Sequence, residues 1–315
     1  MSRLDALELA VNECLPAPQA GLFSQPAFFR LHSMSDATDA LLQLHDIETG
    51  RVEGSLVLAE VAPGEWRSPR RGTYGGIDMA APYRLEVIDA LVENALDWLR
   101  NRGARRLTVL VPPLCHNAHL GALVFNSLAR HGLTEVSQEL DYFRSVGGEA
   151  FEDRIDRGNA KQLRKAERAG LEAGTEPRSE CESAFAVIVA NRQSRGYPVT
   201  SDWSSIRKML EVLPERFRIF GVREGGALIA AAICLVVAEK VLYVWYWGEM
   251  PGSEHLSPVT MLAKRIYNHC QESGFGIMDV GTATLDGQPN PGLMRYKSNL
   301  GCTPSLKLSF SGSLA

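Results

Sequence analysis

Residues Gly274–Phe310 read GFGIMDVGTATLDGQPNPGLMRYKSNLGCTPSLKLSF. A short apolar run (Ile277, Met278, Val280) predicts a strand with Asp279 at its end. Gly, Thr, Asn and Pro then crowd a loop too rich in turn residues to form core. A short helix, Leu293–Leu300, is expected to stop at Gly301 and lead into a last alternating strand. That helix carries Tyr296 and Lys297. Loops held on a rigid strand and helix are where binding and catalytic groups are usually presented, so the rest of the chain is read around this frame.

The chain has 315 residues, enough for one large or two medium domains, with two the better expectation. Hydrophobic residues make up 45% and charged residues 22%, ordinary for a globular protein. A net charge of −4 provides no global basic field of the kind a duplex DNA binder needs. Cys14, Cys115, Cys181, Cys234, Cys270 and Cys302 are scattered without a metal-ligand spacing, which points to reduced thiols and a cytoplasmic setting. No metal cluster is expected among the histidines. The N-terminus lacks the apolar core of a signal peptide, and no apolar run is long enough for a membrane span.

In chain order, residues 1–12 read as an amphipathic helix (Leu4, Leu7, Leu9, Val11, with Asp5 and Glu8), closed by Pro16 and Pro18. FSQPAFF (Phe23–Phe29) reads as an aromatic segment on the core. Strands are expected at Ala40–Asp46, Ser55–Val61 and, loosened by glycines, Gly72–Met79. Leu85–Arg102 predicts a helix, with Ile88, Leu91, Val92, Ala95 and Leu99 on one face. A strand at Arg106–Val111, a helix at Ala118–His131 and a strand pair over Thr134–Val146 complete the first half. Glu152–Leu171 predicts a helical bridge whose Arg157, Lys161, Arg164 and Arg168 lie on one face at i, i+4, i+7 and i+11. Such a face is either merely solvated, with Asp153, Asp156, Glu167 and Glu172 diluting its charge, or it meets phosphates of a nucleic acid.

The second half repeats this order. Helices are expected at Ser183–Arg195 and Ser204–Leu213. A hairpin turns at Glu224-Gly225-Gly226, between Arg218–Arg223 and Ala227–Ala238. The strand Val241–Glu249 is rich in aromatics (Tyr243, Trp245, Tyr246, Trp247). Ser257 is the expected N-cap of the next helix, with Pro258 at its first position. Helix-ending glycines recur at Gly103 and Gly132, then at Gly274 and Gly301. The repetition is of topology, not of letters.

GGALIAAAICLV, HLSPVTML, MDVG followed by LMRYKSNLG, and the basic GNAKQLRKAERAG resemble, as an ordered set, the acetyltransferase (GNAT) fold. Two copies in tandem resemble the FemABX-type peptidyltransferases and the related BioF2-like acyltransferases. The resemblance covers about 150–310 and is only topological before that. It implies an α/β chain with mixed sheets in a duplicated GNAT-like fold: domains 1–150 and 151–315, with the basic linking helix at 152–172.

The resemblance places the aromatic-Lys pair, here Tyr296 and Lys297, at the reaction centre. There the ammonium would neutralise a developing oxyanion or a phosphate beside the leaving oxygen. It implies an N-acyltransferase acting on an amine of a small-molecule or peptide acceptor. The co-substrate would be aminoacyl-tRNA or acyl-CoA, with no tightly bound cofactor. The glycine pattern that cradles the CoA pyrophosphate at a helix N-terminus is missing from DMAAPYRLE and EMPGSEHLSPVT, which favours aminoacyl-tRNA and leaves an atypical acyl donor open. Arg157, Lys161, Arg164, Arg168 and Ser257 are then the donor-binding candidates.

Acyl transfer also needs a base near the amine. Glu249, His255 and Asp279 are the candidates, although each also reads as a strand-end charge, a loop residue or a turn former. Tyr74, Tyr243, Trp245, Tyr246 and Trp247 are acceptor-pocket candidates, or simply core. A non-catalytic tRNA- or ligand-binding module that keeps the fold is the reading from another class.

Overall fold

The computed structural model describes residues 6–17 and 20–314; the expectations for Leu4, Asp5 and Pro18 lie outside them. The chain divides into two compact units, residues 1–139 with 306–315, and residues 140–305. Residues 140–150 thus fall with the second unit, and the C-terminal stretch 306–315 falls with the first.

Among the described residues, strand β1 (Leu7–Val11) comes first, where a helix was expected. Leu7, Leu9 and Val11 repeat every second residue, which is the period of a strand. β1 pairs antiparallel with β2 (Asp39–Asp46), from Leu7↔Asp46 to Val11↔Leu42. Between them, α1 (Pro26–His32) buries Phe28 and Phe29. β2 and β3 (Val52–Ala62) form a hairpin, and β3 also pairs with β4 (Glu65–Ser68) and β5 (Ile77–Met79).

β4 went unread in the sequence because four residues between Pro63 and Pro69 show no periodicity. The expected strand Gly72–Met79 shrinks to β5, since Gly72 (φ +113°) and Gly76 (φ +75°) lie outside strand backbone. Helix α2 (Leu85–Arg100) buries the expected stripe Ile88, Leu91, Val92, Ala95 and Leu99. β6 (Arg106–Leu110) runs parallel to β4, and α3 (Ala118–Arg130) follows. The apolar centre of this unit gathers α2, α3 and the sheet with Leu308 and Phe310 of the C-terminal strand.

The expected strand pair over Thr134–Val146 is one long strand, β7 (Thr134–Ser145), whose end lies in the second unit. There follow α4 (Arg157–Arg168), β8 (Glu172–Glu176), α5 (Cys181–Ser194), α6 (Trp203–Val212), β9 (Phe217–Glu224), β10 (Ala227–Ala238), β11 (Val241–Glu249) and α7 (Pro258–Glu272). β12 (Ile277–Thr282), a small hairpin of β13 (Thr284–Leu285) and β14 (Gln288–Pro289), α8 (Pro291–Asn299) and β15 (Thr303–Ser313) complete the chain.

The sheet of the second unit runs β7-β12-β11-β10-β9-β8, with β11 and β12 parallel and the rest antiparallel. In the first unit the C-terminal β15 pairs with β6, Ser309↔Leu110 to Ser313↔Arg106. In the second, β7 pairs with β12, Ile277↔Ser145 to Thr282↔Asp141. Each unit is closed by a strand that follows the other unit's last helix in the chain. β2-β3-β4, α2, β6, α3 and β9-β10-β11, α7, β12, α8 share one order of elements.

Arg144 is 1% exposed in the second unit. Its guanidinium donates to the carbonyls of Leu300 (2.9 Å) and Phe151 (2.8 Å) and lies over the rings of Phe151 and Tyr267. It thereby ties β7 to the end of α8. Arg144→Met removes the donors to both carbonyls, and urea unfolding is expected to show a loss of about 3 kcal/mol.

Candidate active site

The site of the second unit begins with a mismatch between β10 and β11. Their register runs Cys234↔Val244 and then Ile233↔Tyr246, so Trp245 is the extra residue of a β-bulge. A bulge re-aims every side chain beyond it. Past Trp245, Gly248 faces α5, where a Cβ would come within 2.8 Å of the Asn191 side chain. Trp247 instead joins the core beside α7, with its ring 6.2 Å from that of Tyr296.

The second feature is a parting of strands. β11 and β12 pair only from Val241↔Ile277 to Tyr243↔Asp279. Beyond Tyr243, the edge of β11 that would face β12 has no ladder partner. β12 turns away at Gly281 (φ +77°), whose N–H donates to the Asp279 carboxylate at 2.7 Å. The Nζ of Lys297 donates to the carbonyls of Gly281 (2.7 Å) and Thr282 (2.8 Å). Lys297 is 2% exposed. Burial pushes its pKa down to about 8, against the opposing charges of Asp141 and Asp279. Its ammonium is thus engaged by protein carbonyls on the departing strand, and α8 brings it there through the Asn290 cap and Pro291.

The third feature is a polar group at the mouth of the parting. Glu249 ends β11 and is 7% exposed. Its carboxyl pKa is raised, chiefly by burial and also by Glu254, against the pull of Arg195. Arg195 Nη2 donates to Glu249 Oε1 at 2.9 Å. Asn191 Nδ2 donates to the Glu249 carbonyl at 2.9 Å and holds that strand end in place. The Tyr296 hydroxyl is buried without a hydrogen-bond partner. Burial, and next the charge of Glu249, hold its proton on above the ordinary phenol range.

The remaining candidates fall in several places. Tyr243 is buried beside Gly281. The Tyr246 hydroxyl meets Thr200 Oγ1 at 2.5 Å, the Arg192 guanidinium lies 5.0 Å from its ring, and the Trp245 ring packs 4.8 Å from it. Tyr74 belongs to the first unit, where it is buried with its ring edge-on to Phe23 and His116. His255 is exposed, and its ring engages the Gly252 carbonyl at 2.9 Å. Ser257 does not cap α7. It has left-handed backbone (φ +56°), where an N-cap needs extended backbone, and its hydroxyl donates to Gln162 of α4 at 3.0 Å.

α4 covers the loop before α7: Lys165 Nζ donates to the His255 carbonyl at 2.7 Å. Pro258 removes a first-turn N–H from α7. Arg157, Lys161, Arg164 and Arg168 stay exposed, with no hydrogen bond or ion pair to any described residue. The nearby acids are engaged elsewhere. Asp156 caps α4, Asp153 accepts from the Ala150 N–H, and Glu152 and Glu167 hold Lys264. Arg195 and Asn191 escaped the sequence reading. Their only local signal was position near the end of α5, where a cation answers the helix dipole.

Residues 157–298 match the acetyltransferase (GNAT) domain family. No curated protein matches by sequence. Among solved structures, FemX superposes with a TM-score of 0.70 at 12% identity, over 99% of this chain and 96% of that one. The C-terminal domain of a putative lysylphosphatidylglycerol synthetase from Agrobacterium fabrum gives 0.60 at 12% identity, over 84% and 81%. A tandem GNAT protein from the clavulanic acid biosynthesis pathway gives 0.52 at 14% identity, over 98% and 99%. The fold is that of the GNAT acyltransferases in a duplicated arrangement. Its layout is similar to that of FemX, which is a likeness of fold. No helix among the described residues is long and apolar enough to cross a membrane, and no described group of three or more His, Cys, Asp or Glu side chains could hold a metal.

Lys297→Met removes the cation that donates to the Gly281 and Thr282 carbonyls and that the buried Asp141 and Asp279 oppose. Breaking such a buried charge contact is expected to cost about 3 kcal/mol at neutral pH in urea unfolding. The folded Lys297 loses its proton near 8, whereas the unfolded one keeps it to about 10.5. The unfolded state therefore binds more protons in that window. Wild-type stability relative to the methionine variant should rise as pH increases from about 8 to 10.5.

Proposed function

We propose that the chain is an N-acyltransferase that uses aminoacyl-tRNA as donor and forms an amide on a small-molecule or peptide amine. The observation that carries this reading is the unpaired edge of β11, with the Glu249 carboxylate at its end and the Tyr296 hydroxyl opposite. An incoming ammonium gives a proton to the Glu249 carboxylate, which burial makes more basic than an ordinary one. The freed amine attacks the carbonyl carbon of the donor ester. The tetrahedral oxyanion accepts hydrogen bonds from main-chain N–H groups of the β11 edge. The carbon–oxygen bond to the ribose then breaks as the Tyr296 hydroxyl gives its proton to the leaving oxygen; the nitrogen of the intermediate returns its extra proton to Tyr296, leaving a neutral amide, and Glu249 releases the first proton to water. Lys297 contributes by holding β12 away from β11.

The donor assignment rests on α4. Its four unpaired cations form a line on one face, suited to successive backbone phosphates. The N-terminus of α7, where a GNAT fold offers N–H groups to a pyrophosphate, carries Pro258 and is approached by Gln162 and Lys165. An acyl-CoA donor is the second reading, favoured by the match to the acetyltransferase domain family.

Glu249→Gln should lower kcat/KM for acyl transfer by about a hundredfold or more and flatten the acid limb of its pH profile. An unchanged rate and profile would remove Glu249 from the reaction.

Replacing Arg157, Lys161, Arg164 and Arg168 together by Ala should weaken tRNA binding and make its salt dependence shallower, by a slope of roughly 3 on a log–log plot. CoA binding that is tight and indifferent to these changes would transfer the assignment to acyl-CoA.

A further inference from the structure

The acceptor end of the site holds more than a base. Arg195 stands at the C-cap of α5 and its side chain is 49% exposed. One terminal nitrogen, Nη2, is bound to Glu249 Oε1. Nη1 and Nε have no hydrogen-bond partner among the described residues. A guanidinium presents its donors as a planar fork, so the free edge is shaped for a second carboxylate. Glu249 likewise uses only Oε1, which leaves Oε2 as an acceptor with no donor to it. The Tyr296 hydroxyl, buried and unpartnered, adds a third unsatisfied group beside the pair. A buried polar atom without a partner is costly, and a ligand is one way it is satisfied. The Tyr296 ring itself packs 6.2 Å from that of Trp247.

We propose that Arg195 and Glu249 together form the recognition site for an acceptor of the free α-amino-acid class, in which the reactive amine and a carboxylate are joined through one carbon. The carboxylate lies on the free edge of Arg195 and the ammonium on Glu249 Oε2. The 2.9 Å contact between Arg195 and Glu249 puts their two free edges side by side. An amine and a carboxylate can satisfy both only when a short link joins them. A side-chain amine at the end of a long alkyl arm, or an amine in a peptide without a neighbouring carboxylate, fills one half of the site and leaves the other half empty. The loop after Arg195 is held in place by the Arg192 Nη1 donation to the Pro198 carbonyl at 3.0 Å and by the Thr200–Tyr246 contact. The guanidinium is therefore presented from an anchored segment. Arg195 binds the substrate's carboxylate and also positions Glu249 for the amine.

This rests on the acyltransferase reading for its chemistry but not for its test, which is a binding measurement without donor. The full-length chain is titrated by ligand-observed NMR with the twenty free L-amino acids, with their amides, and with 6-aminohexanoic acid. At least one free amino acid is expected to bind, with its amide weaker by about tenfold or more and 6-aminohexanoic acid not competing. Arg195→Gln should abolish the difference between acid and amide, while Glu249→Gln should weaken both. Arg195 is half exposed, so its substitution leaves the fold intact, and circular dichroism checks this. Equal binding of acid and amide, or binding by none of the free amino acids, would overturn the proposal. Discrimination by Arg195 without acyl transfer from any donor would leave this site standing and remove the acyltransferase reading. Efficient transfer to amines that lack a carboxylate would do the reverse.

Discussion

The second unit depends on one buried ammonium. Lys297 donates to two consecutive carbonyls, Gly281 and Thr282, on a strand that would otherwise continue its ladder along β11. Each of those carbonyls would need a donor once β12 leaves the sheet, because a buried unpaired backbone acceptor is costly. The lysine supplies both donors from α8, and Asp141 and Asp279 supply the negative charge that keeps a cation tolerable at 2% exposure. The parting of the strands is therefore held by a specific contact and is not a slack region of the sheet. This also explains the order strand, loop, short helix over Ile277–Asn299. The helix must return close to the strand it has just left for its lysine to reach back.

The parting and the bulge act together. Trp245 adds a residue to β11 just beyond the last β11–β12 pair. From that point the side chains change faces, so Gly248 lies against Asn191 while Trp247 and Glu249 are placed with Tyr296. With no bulge, the same letters would carry Glu249 to the α5 face. The result is a strand edge with free main-chain groups, a carboxyl raised by burial and a tyrosine that keeps its proton. All three lie within the unit that matches the acetyltransferase domain family.

Much of the secondary structure was legible because its causes are local. The α2 stripe from Ile88 to Leu99 repeats at the helical period, and Val241–Glu249 was read to its ends from a run of β-branched and aromatic residues. The basic face of α4 followed from spacing alone, and the structure adds that Asp153, Asp156 and Glu167 are bound elsewhere. The N-terminal segment was misread where two periods compete, since Leu4, Leu7 and Val11 suit a helix while Leu7, Leu9 and Val11 suit a strand. Pairing with β2 decided it. Ser257 looked like a cap by residue type, but its backbone was set by the loop that α4 holds down.

The sequence by itself determined a duplicated order of strands and helices, the amphipathic faces, and the Tyr296-Lys297 pair on a short helix after an aspartate-ending strand. These follow from short-range periodicity and turn chemistry, which each segment carries within its own residues. Only the tertiary structure decided that the closing strands are β15 for the first unit and β7 for the second, that Trp245 is a bulge, and that Arg195 meets Glu249 across 54 residues of chain. Those outcomes depend on which distant donor meets which acceptor once water is excluded, and no local run of letters encodes that choice.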